Sequence, residues 1–486
     1  MRIQMQHRFI RLSPFCFEYL MHLCSTKFHK LSTNSSPGME SKEVCQHLVA
    51  MPFPGRGHIN PMMNLCKLLA SRRRSDLLIT FVITEEWLGY IGSEPKPEIV
   101  QFRTIANVIP PERLKAVDFP GFYEAVMTEM ESPFKQLLDQ LQPPATAIIG
   151  DIEVRWAMGV GNRRNIPVAA FWTMSASFFS MLYHLDIAAK SQSSPPKDLL
   201  EKVDSIIGIS NSRVPELRTL FQKNDLRVLE LALECIAQVP KAQYLLFTTL
   251  YELEIQAIDS LKQTFTFPVY PIGPAIPYLE LQQNSSRADY MEWLDNQPKG
   301  SVLYISLGSF LSVSSTQMEE ILAGLEAASI RYLWIARAEA LRLNQSGGCK
   351  KGMVLPWCDQ LKVLSHSSVG GFWSHCGWNS TLEASFAGVP MLTFPLFLDQ
   401  DANSKQIAEE WRTGCKIDIH LKQETEITRE EVAQIVGKFM DSESEEGQQM
   451  RKRARELGDI YNAAVAEGGS SVTNLDAFID GISQPV

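Results

Sequence analysis

Residues Trp357 to Gln400 read WCDQLKVLSHSSVGGFWSHCGWNSTLEASFAGVPMLTFPLFLDQ, and the middle of this stretch predicts a strand, a tight turn and a helix start. The strand covers 367–372, the turn is Ser374-His375-Cys376-Gly377, and the helix runs over 378–387 from Trp378-Asn379-Ser380-Thr381-Leu382-Glu383. A turn with glycine that opens a helix presents unpaired backbone N–H groups and the positive end of the helix dipole, which suits a diphosphate. Asn379 and Ser380 add side-chain donors in the first turn, and Glu383 shares their helix face. A carboxylate one turn below a phosphate site can accept from two ribose hydroxyls. Leu382 and Phe386, at i and i+4, belong to the core. Each polar residue alone has a plainer reading, because Asn and Ser cap helices and Glu decorates surfaces. Their company decides against it: an aromatic platform at Trp357, a histidine at 375, and the acid–amide pair Asp399-Gln400 after another strand.

Outward from this stretch, short apolar runs alternate with helical patterns from His47 onward, the mark of parallel sheets covered on both faces. Strands are predicted at 47–53, 77–83, 98–104, 146–150, 167–171 and 242–247, and then at 301–307, 331–336, 367–372 and 389–394. Helices are predicted to start at Asn60-Pro61, near 121 and at 154, with a less regular one over 214–238. Further helices fall at 315–328, 401–411, 428–441 and 446–466, and 469–482 forms the C-terminal tail. Pro268, Pro271, Gly273, Pro274 and Pro277, followed by Gln282-Gln283-Asn284-Ser285-Ser286, mark a linker. The fold class is therefore α/β, with two Rossmann-like doubly wound domains facing one another and a ligand cleft between the carboxyl ends of their strands. The predicted organisation is an N-terminal extension 1–44, a first Rossmann-like domain 45–270, a linker 271–288, a second Rossmann-like domain 289–455 and a helical segment 456–486 packing back on the first domain.

A chain of 486 residues is too long for one ordinary core, in keeping with two domains. Lys and Arg number 46 against 55 Asp and Glu, a net charge of −9, so clustered cations for nucleic acid are missing. Nine cysteines, at 16, 24, 45, 66, 235, 349, 358, 376 and 415, are odd in number and form no C-x-x-C pair, which reads as reduced thiols in a cytoplasmic protein. Residues 1–38 are basic and end in a loop-like run, Leu31 to Gly38. Their apolar core, Pro14 to Cys24, is interrupted by Glu18 and His22 and falls short of the ~20 residues that span a bilayer. Two readings stand: an alternative start, since Met39-Glu40-Ser41-Lys42-Glu43 resembles a second beginning, or an organelle-targeting leader. The expected molecule is a monomer with no membrane span and no nucleic-acid partner.

In the first half, His58 follows Gly55-Arg56-Gly57 between the first strand and helix, so its ring is expected to project into the cleft. A neutral imidazole accepts a proton from a hydroxyl near neutral pH, and it does so better when a carboxylate fixes its tautomer. Asp151 ends the strand 146–150 at the same rim, whereas Glu153, two residues on, is expected to start the next helix.

The segment 357–400 resembles the donor-binding signature of plant family-one UDP-dependent glycosyltransferases, in its length, its opening Trp, its H-C-G-W-N-S centre, the Glu that follows and its closing Asp-Gln. The likeness extends over about 47–480 through W-L-D-N-Q-P at 293–298, S-L-G-S at 306–309, G-R-G-H-I-N-P at 55–61 and F-W-T at 171–173. It implies a GT-B type fold in which Trp357 stacks on uracil and Gln360 contacts the nucleoside. It further implies that His375, Gly377, Asn379, Ser380 and Ser309 hold the diphosphate and Glu383 the ribose. Trp378, Asp399, Gln400 and Thr173 would contact the sugar, and Asp151 would pair with His58. The implied reaction is inverting transfer of glucose from the co-substrate UDP-glucose to a hydroxyl of a small apolar acceptor, such as a flavonoid, terpenoid, hormone or xenobiotic. No further cofactor is implied.

Asp399-Gln400-Asp401 also reads as D-x-D, a metal-holding pattern of glycosyltransferases of another fold, but the helix start at 377–380 can already neutralise a leaving diphosphate, so no metal is expected. The run Arg72-Arg73-Arg74 is expected to end the first helix, where cations favour the dipole. A nucleotide-sugar epimerase on the same plan would need no acceptor pocket, and the aromatic segment FWTMSASFFSMLY at 171–183 is expected to line one. A non-catalytic binding protein on this fold would have no need of His58, Asp151 or Asp399-Gln400.

Overall fold

Near-continuous apolar runs such as Leu48-Val49-Ala50-Met51 and Ala147-Ile148-Ile149 can be satisfied only where both faces of a sheet are covered, and that is where they lie, at 3% exposure or less. The computed structural model describes residues 46–72, 77–192, 220, 225–281, 288–308, 313–345, 351–417 and 427–483. The N-terminal extension, Arg73, Arg74, Ser309, residues 214–219 and 221–224 of the predicted 214–238 helix and the tail of the predicted linker lie outside the described residues; within the described part of 214–238 the helix is Leu226–Ile236.

The first sheet comprises β1 (Gln46–Met51), β2 (Leu77–Thr84), β3 (Val100–Ile105), β4 (Ala147–Asp151), β5 (Val168–Trp172), β6 (Tyr244–Phe247) and β7 (Val269–Pro271), in the order β3-β2-β1-β4-β5-β6-β7. The second comprises β8 (Val302–Ser306), β9 (Arg331–Ile335), β10 (Gly352–Leu355), β11 (Val369–Ser374), β12 (Met391–Thr393) and β13 (Gly414–Lys416), in the order β10-β9-β8-β11-β12-β13. Every pairing described is parallel. Each sheet therefore reverses its winding once, between β1 and β4 in the first and between β8 and β11 in the second. At such a point the connections leave in opposite directions and open a crevice beyond the strands' carboxyl ends.

Several expectations are corrected. The first helix is Arg56–Ser71, so it begins at Arg56 rather than at Asn60-Pro61, and Pro61 lies inside it. His58 consequently sits in the first helical turn, not in a loop before it. Gly55 caps that turn with a φ of +155°, a conformation that residues with a side chain rarely adopt. Arg72 does end this helix, but its guanidinium reaches away from the dipole to Asp476, with Nε–Oδ1 at 2.9 Å, and to Glu467. The C-terminal residues form the helix Ser470–Ser483, whose Leu475, Phe478, Ile479 and Ile482 join the core beside Ile79, Phe81 and Ile149 of the first sheet. The helix Glu445–Val465 runs through the expected boundary at 455. The expected helix 401–411 is regular only over Gln400–Lys405 and widens into a π turn over Gln406–Glu410. The aromatic segment 171–183 is mostly core: Phe171, Trp172, Phe178, Phe179 and Leu182 are 3% exposed or less, so it supplies the wall behind the cleft rather than its lining. No described helix is long and apolar enough to cross a membrane.

Candidate active site

The reversal between β1 and β4 places the end of β4 beside the helix that follows β1, which brings Asp151 to His58. Asp151 is 1% exposed; its Oδ2 lies 2.9 Å from His58 Nδ1, and its Oδ1 accepts from the backbone N–H of Glu153 at 3.0 Å. Both oxygens are thus fixed, and Nε2 is left as the ring atom that can serve as a base. Thr173, directly after β5, sets its hydroxyl 3.2 Å from Nδ1, so the structure gathers it with His58 and Asp151.

The residue that the sequence reading set aside is Glu153. It does not start the helix, which begins at Trp156, and its buried carboxylate lies 3.5 Å from His58 Nε2. The strand ends at Asp151 and Glu153 lies in the turn that follows, so strand alternation does not reach it; its closeness to Asp151 in sequence was the available signal. Burial opposes charge on the His58 ring, but the carboxylates of Asp151 and Glu153 together outweigh it and raise its pKa above the ordinary 6.5. Burial, with the charge of Asp151 adding to it, pushes Glu153 up to about 7. Lys115 donates to the Pro54 carbonyl at 2.5 Å between the rings of Phe53 and Phe122, and burial lowers its pKa.

On the second sheet, β11 leads into the turn His375-Cys376-Gly377 and the helix Trp378–Phe386 at the reversal beside β8. Burial lowers the His375 pKa to about 4, so the ring is neutral. Gly308, at φ +93°, and Gly377 make room for it, since a Cβ would come within 2.7 Å and 2.5 Å of its Nε2, respectively. Gln360, Ser380 and Glu383 converge: Gln360 Nε2 donates to Ser380 Oγ at 2.9 Å and to Glu383 Oε2 at 2.5 Å, while Tyr304 donates to Gln360 Oε1 at 3.1 Å. Burial pushes the Glu383 carboxyl up to about 7, with the Gln360 bond opposing. Trp357 stands 72% exposed just before this cluster, unusual for an indole and suited to a flat ring stacking on it. Trp378 departs from the role the resemblance implies. Its indole is 3% exposed and packs with Leu382 and Tyr461, so it can offer a sugar only the backbone N–H of a first helical turn.

Asp399 is buried, accepts from Asn403 Nδ2 at 2.6 Å, and is pushed by burial up to about 7. Gln400 turns its Oε1 back to the N–H groups of Leu396 and Phe397, at 2.8 and 3.0 Å, which fixes the loop and leaves its amide end to donate. The two halves meet directly. Asn379 Nδ2 donates to the Gly57 carbonyl at 2.8 Å, and the ring of Phe119 packs edge-on against Phe397. The Gly57 carbonyl is available because its intrahelical donor would be the N–H of residue 61, and Pro61 has none. Among the described residues no cluster of three or more His, Cys, Asp or Glu side chains forms a metal-ligand set.

Residues 234–452 match the sequence model of the family described as UDP-glucoronosyl and UDP-glucosyl transferase. UDP-glycosyltransferase 87A2 of Arabidopsis thaliana is 50% identical over 455 residues, covering 92% of this chain and 98% of the relative. The 7-deoxyloganetin glucosyltransferase of Catharanthus roseus is 31% identical over 481 residues, covering 89% and 96%. Among solved structures, Phytolacca americana UGT2 complexed with UDP-2fluoro-glucose and pterostilbene superposes with a TM-score of 0.74 at 26% identity, covering 90% of this chain and 100% of that one. Medicago truncatula UGT71G1 complexed with UDP-glucose gives 0.72 at 26%, covering 90% and 98%.

Proposed function

Because the chain belongs to the UDP-glucoronosyl and UDP-glucosyl transferase family and is a UDP-dependent glycosyltransferase of GT-B fold, we propose that it transfers glucose from UDP-glucose to a hydroxyl of a small apolar acceptor. The observation that carries this reading is the His58 Nδ1–Asp151 Oδ2 contact of 2.9 Å at the reversal of the first sheet, across the cleft from the Gln360–Ser380–Glu383 cluster. In a single displacement, His58 Nε2 takes the acceptor proton as the acceptor oxygen bonds to the anomeric carbon. The bond from that carbon to the diphosphate breaks, and the configuration inverts. Asp151 holds the proton on Nδ1 and offsets the charge of the imidazolium. The first-turn N–H groups at 377–380, with Asn379 and Ser380, receive the departing UDP in place of a metal.

Relatives whose names and structures record glucosyl transfer or bound UDP-glucose support glucose as the sugar, as does the Gln400 amide, which can donate to a sugar hydroxyl. The free thiols of the described cysteines fit a cytoplasmic setting. The test is an acceptor screen that records product mass and UDP release together, with UDP-glucose and UDP-galactose in competition and with EDTA in one arm. Glucoside formation unaffected by EDTA is expected. Preferential galactoside formation rejects the donor assignment, and loss in EDTA restored by Mn or Mg rejects the metal-free step.

A further inference from the structure

Asp151 occupies Nδ1 of His58, so the acceptor hydroxyl must approach Nε2, and whatever stands beside Nε2 stands beside the acceptor. What stands there is the Glu153 carboxylate, with Oε2 at 3.5 Å, beyond the 2.7–3.2 Å of an N–H···O bond. Among the described residues the side chain of Glu153 makes no hydrogen bond, and its one ion-pair contact is this His58 nitrogen. The neighbouring surfaces are aromatic: the Phe53 ring lies 5.1 Å from the His58 ring and packs against Phe122 and Tyr123. Lys115 donates to the Pro54 carbonyl, pairs with Glu112 at 3.8 Å and lies over the Phe53 and Phe122 rings. A carboxylate in such surroundings is costly unless something donates to it. The packing of Glu153 offers no such donor, whereas a bound hydroxyl beside Nε2 would.

Resting on the reading of His58 as the base, we infer that Glu153 is an acceptor-selecting residue. It accepts a hydrogen bond from a second hydroxyl adjacent to the one that His58 deprotonates, and so favours catechols and vicinal diols. Two hydroxyls on neighbouring carbons are the smallest acceptor feature that meets Nε2 and Oε2 together, because the two atoms are 3.5 Å apart. Glu153 neither makes nor breaks a bond. The proton passes from the first hydroxyl to His58, and Glu153 fixes which hydroxyl presents itself and in what orientation. An acceptor with a methyl ether at the second position leaves the carboxylate without a donor and crowds it.

The experiment measures kcat/KM with UDP-glucose for matched acceptors on several aromatic and alicyclic scaffolds, each as the adjacent diol, the monohydroxyl compound and the mono-O-methyl ether. A hydrogen bond to a charged group separates such pairs by about 10–100-fold, so the wild type should favour the diol by that factor. E153L should bring the ratio to within about threefold of unity, chiefly through KM of the diol. E153Q, which keeps the volume and one accepting oxygen, should retain an intermediate ratio and guards against a folding defect in E153L. Equal use of diol and monohydroxyl acceptors by the wild type, or equal losses on both in E153L and E153Q, overturns the assignment of Glu153 alone. Transfer to no hydroxyl acceptor overturns the proposed function and this inference with it.

Discussion

Asp151→Asn separates positioning from chemistry in one atom. The wild-type carboxylate serves two donors at once, His58 Nδ1–H at Oδ2 and the Glu153 backbone N–H at Oδ1. An amide has one acceptor and one donor end, and at 1% exposure the side chain has no water to turn to. Its oxygen must stay with the Glu153 N–H, because that backbone donor cannot change its character. Its NH2 then meets Nδ1, which must become the acceptor, and the ring proton moves to Nε2. That is the nitrogen the acceptor hydroxyl needs as a base. The ring keeps its place and loses its function. General-base catalysis is worth ~10²–10⁴-fold, and a histidine held in the wrong tautomer by the same exchange in a serine-protease triad loses about 10⁴ in kcat. The expected outcome is a fall of about 10³–10⁴-fold in kcat for a hydroxyl acceptor, close to that of His58→Ala, measured as UDP release. UDP affinity by calorimetry should stay within about twofold, since the Gln360–Ser380–Glu383 cluster proposed to hold the nucleotide belongs to the second sheet's half. A variant that keeps a tenth or more of the wild-type kcat would refute the argument, as would a loss of UDP affinity matching the loss of rate.

Two further outcomes follow from displaced titrations. The rising limb of kcat/KM should lie above pH 6.5, because the base must be neutral and the His58 pKa is raised against burial by Asp151 and Glu153, with Lys115 opposing and Asp399 adjoining from the second sheet. E153L should move the limb to lower pH, and an unmoved limb would mean that another group governs it. Glu383→Gln should weaken UDP binding by about 10–100-fold as a charge-assisted bond to the ribose is lost. The same change should make the ligand-free protein more stable than wild type above about pH 7, because a carboxyl raised from 4.5 to about 7 costs stability as pH climbs through that interval and the amide has no such cost. Thermal melts of both proteins at pH 5 and pH 8, with and without UDP, check the pair of effects.

Periodicity and punctuation made most of the large elements legible, because a strand buried on both faces leaves an apolar run of five or more residues and a capped amphipathic helix leaves its own period, but the helices Ala176–Gln192 and Ile255–Thr264 were not foreseen. The three strands that escaped, β7, β10 and β13, span three or four residues each and are too short to show a period. Within the candidate site, the legible placements were those that follow from local geometry, such as Gly377 at a helix start or Asp151 at a strand end. What remained hidden depends on partners far away in the chain. Pro61 reads as a first-turn proline in sequence, and only the fold shows that its missing N–H releases the Gly57 carbonyl to Asn379, 322 residues on. That contact ties the first turn of the helix Trp378–Phe386 to the first turn of the helix that carries His58, so one proline inside a helix helps to set the proposed base against the proposed donor site. Glu153 is the converse case. Its spacing from Asp151 was visible, but a carboxylate beside a helix start has an ordinary role, and helix propensity alone favours that role. The fold starts the helix three residues later, at Trp156, and the side chain that would have decorated an N-terminus faces His58 Nε2, the proposed base.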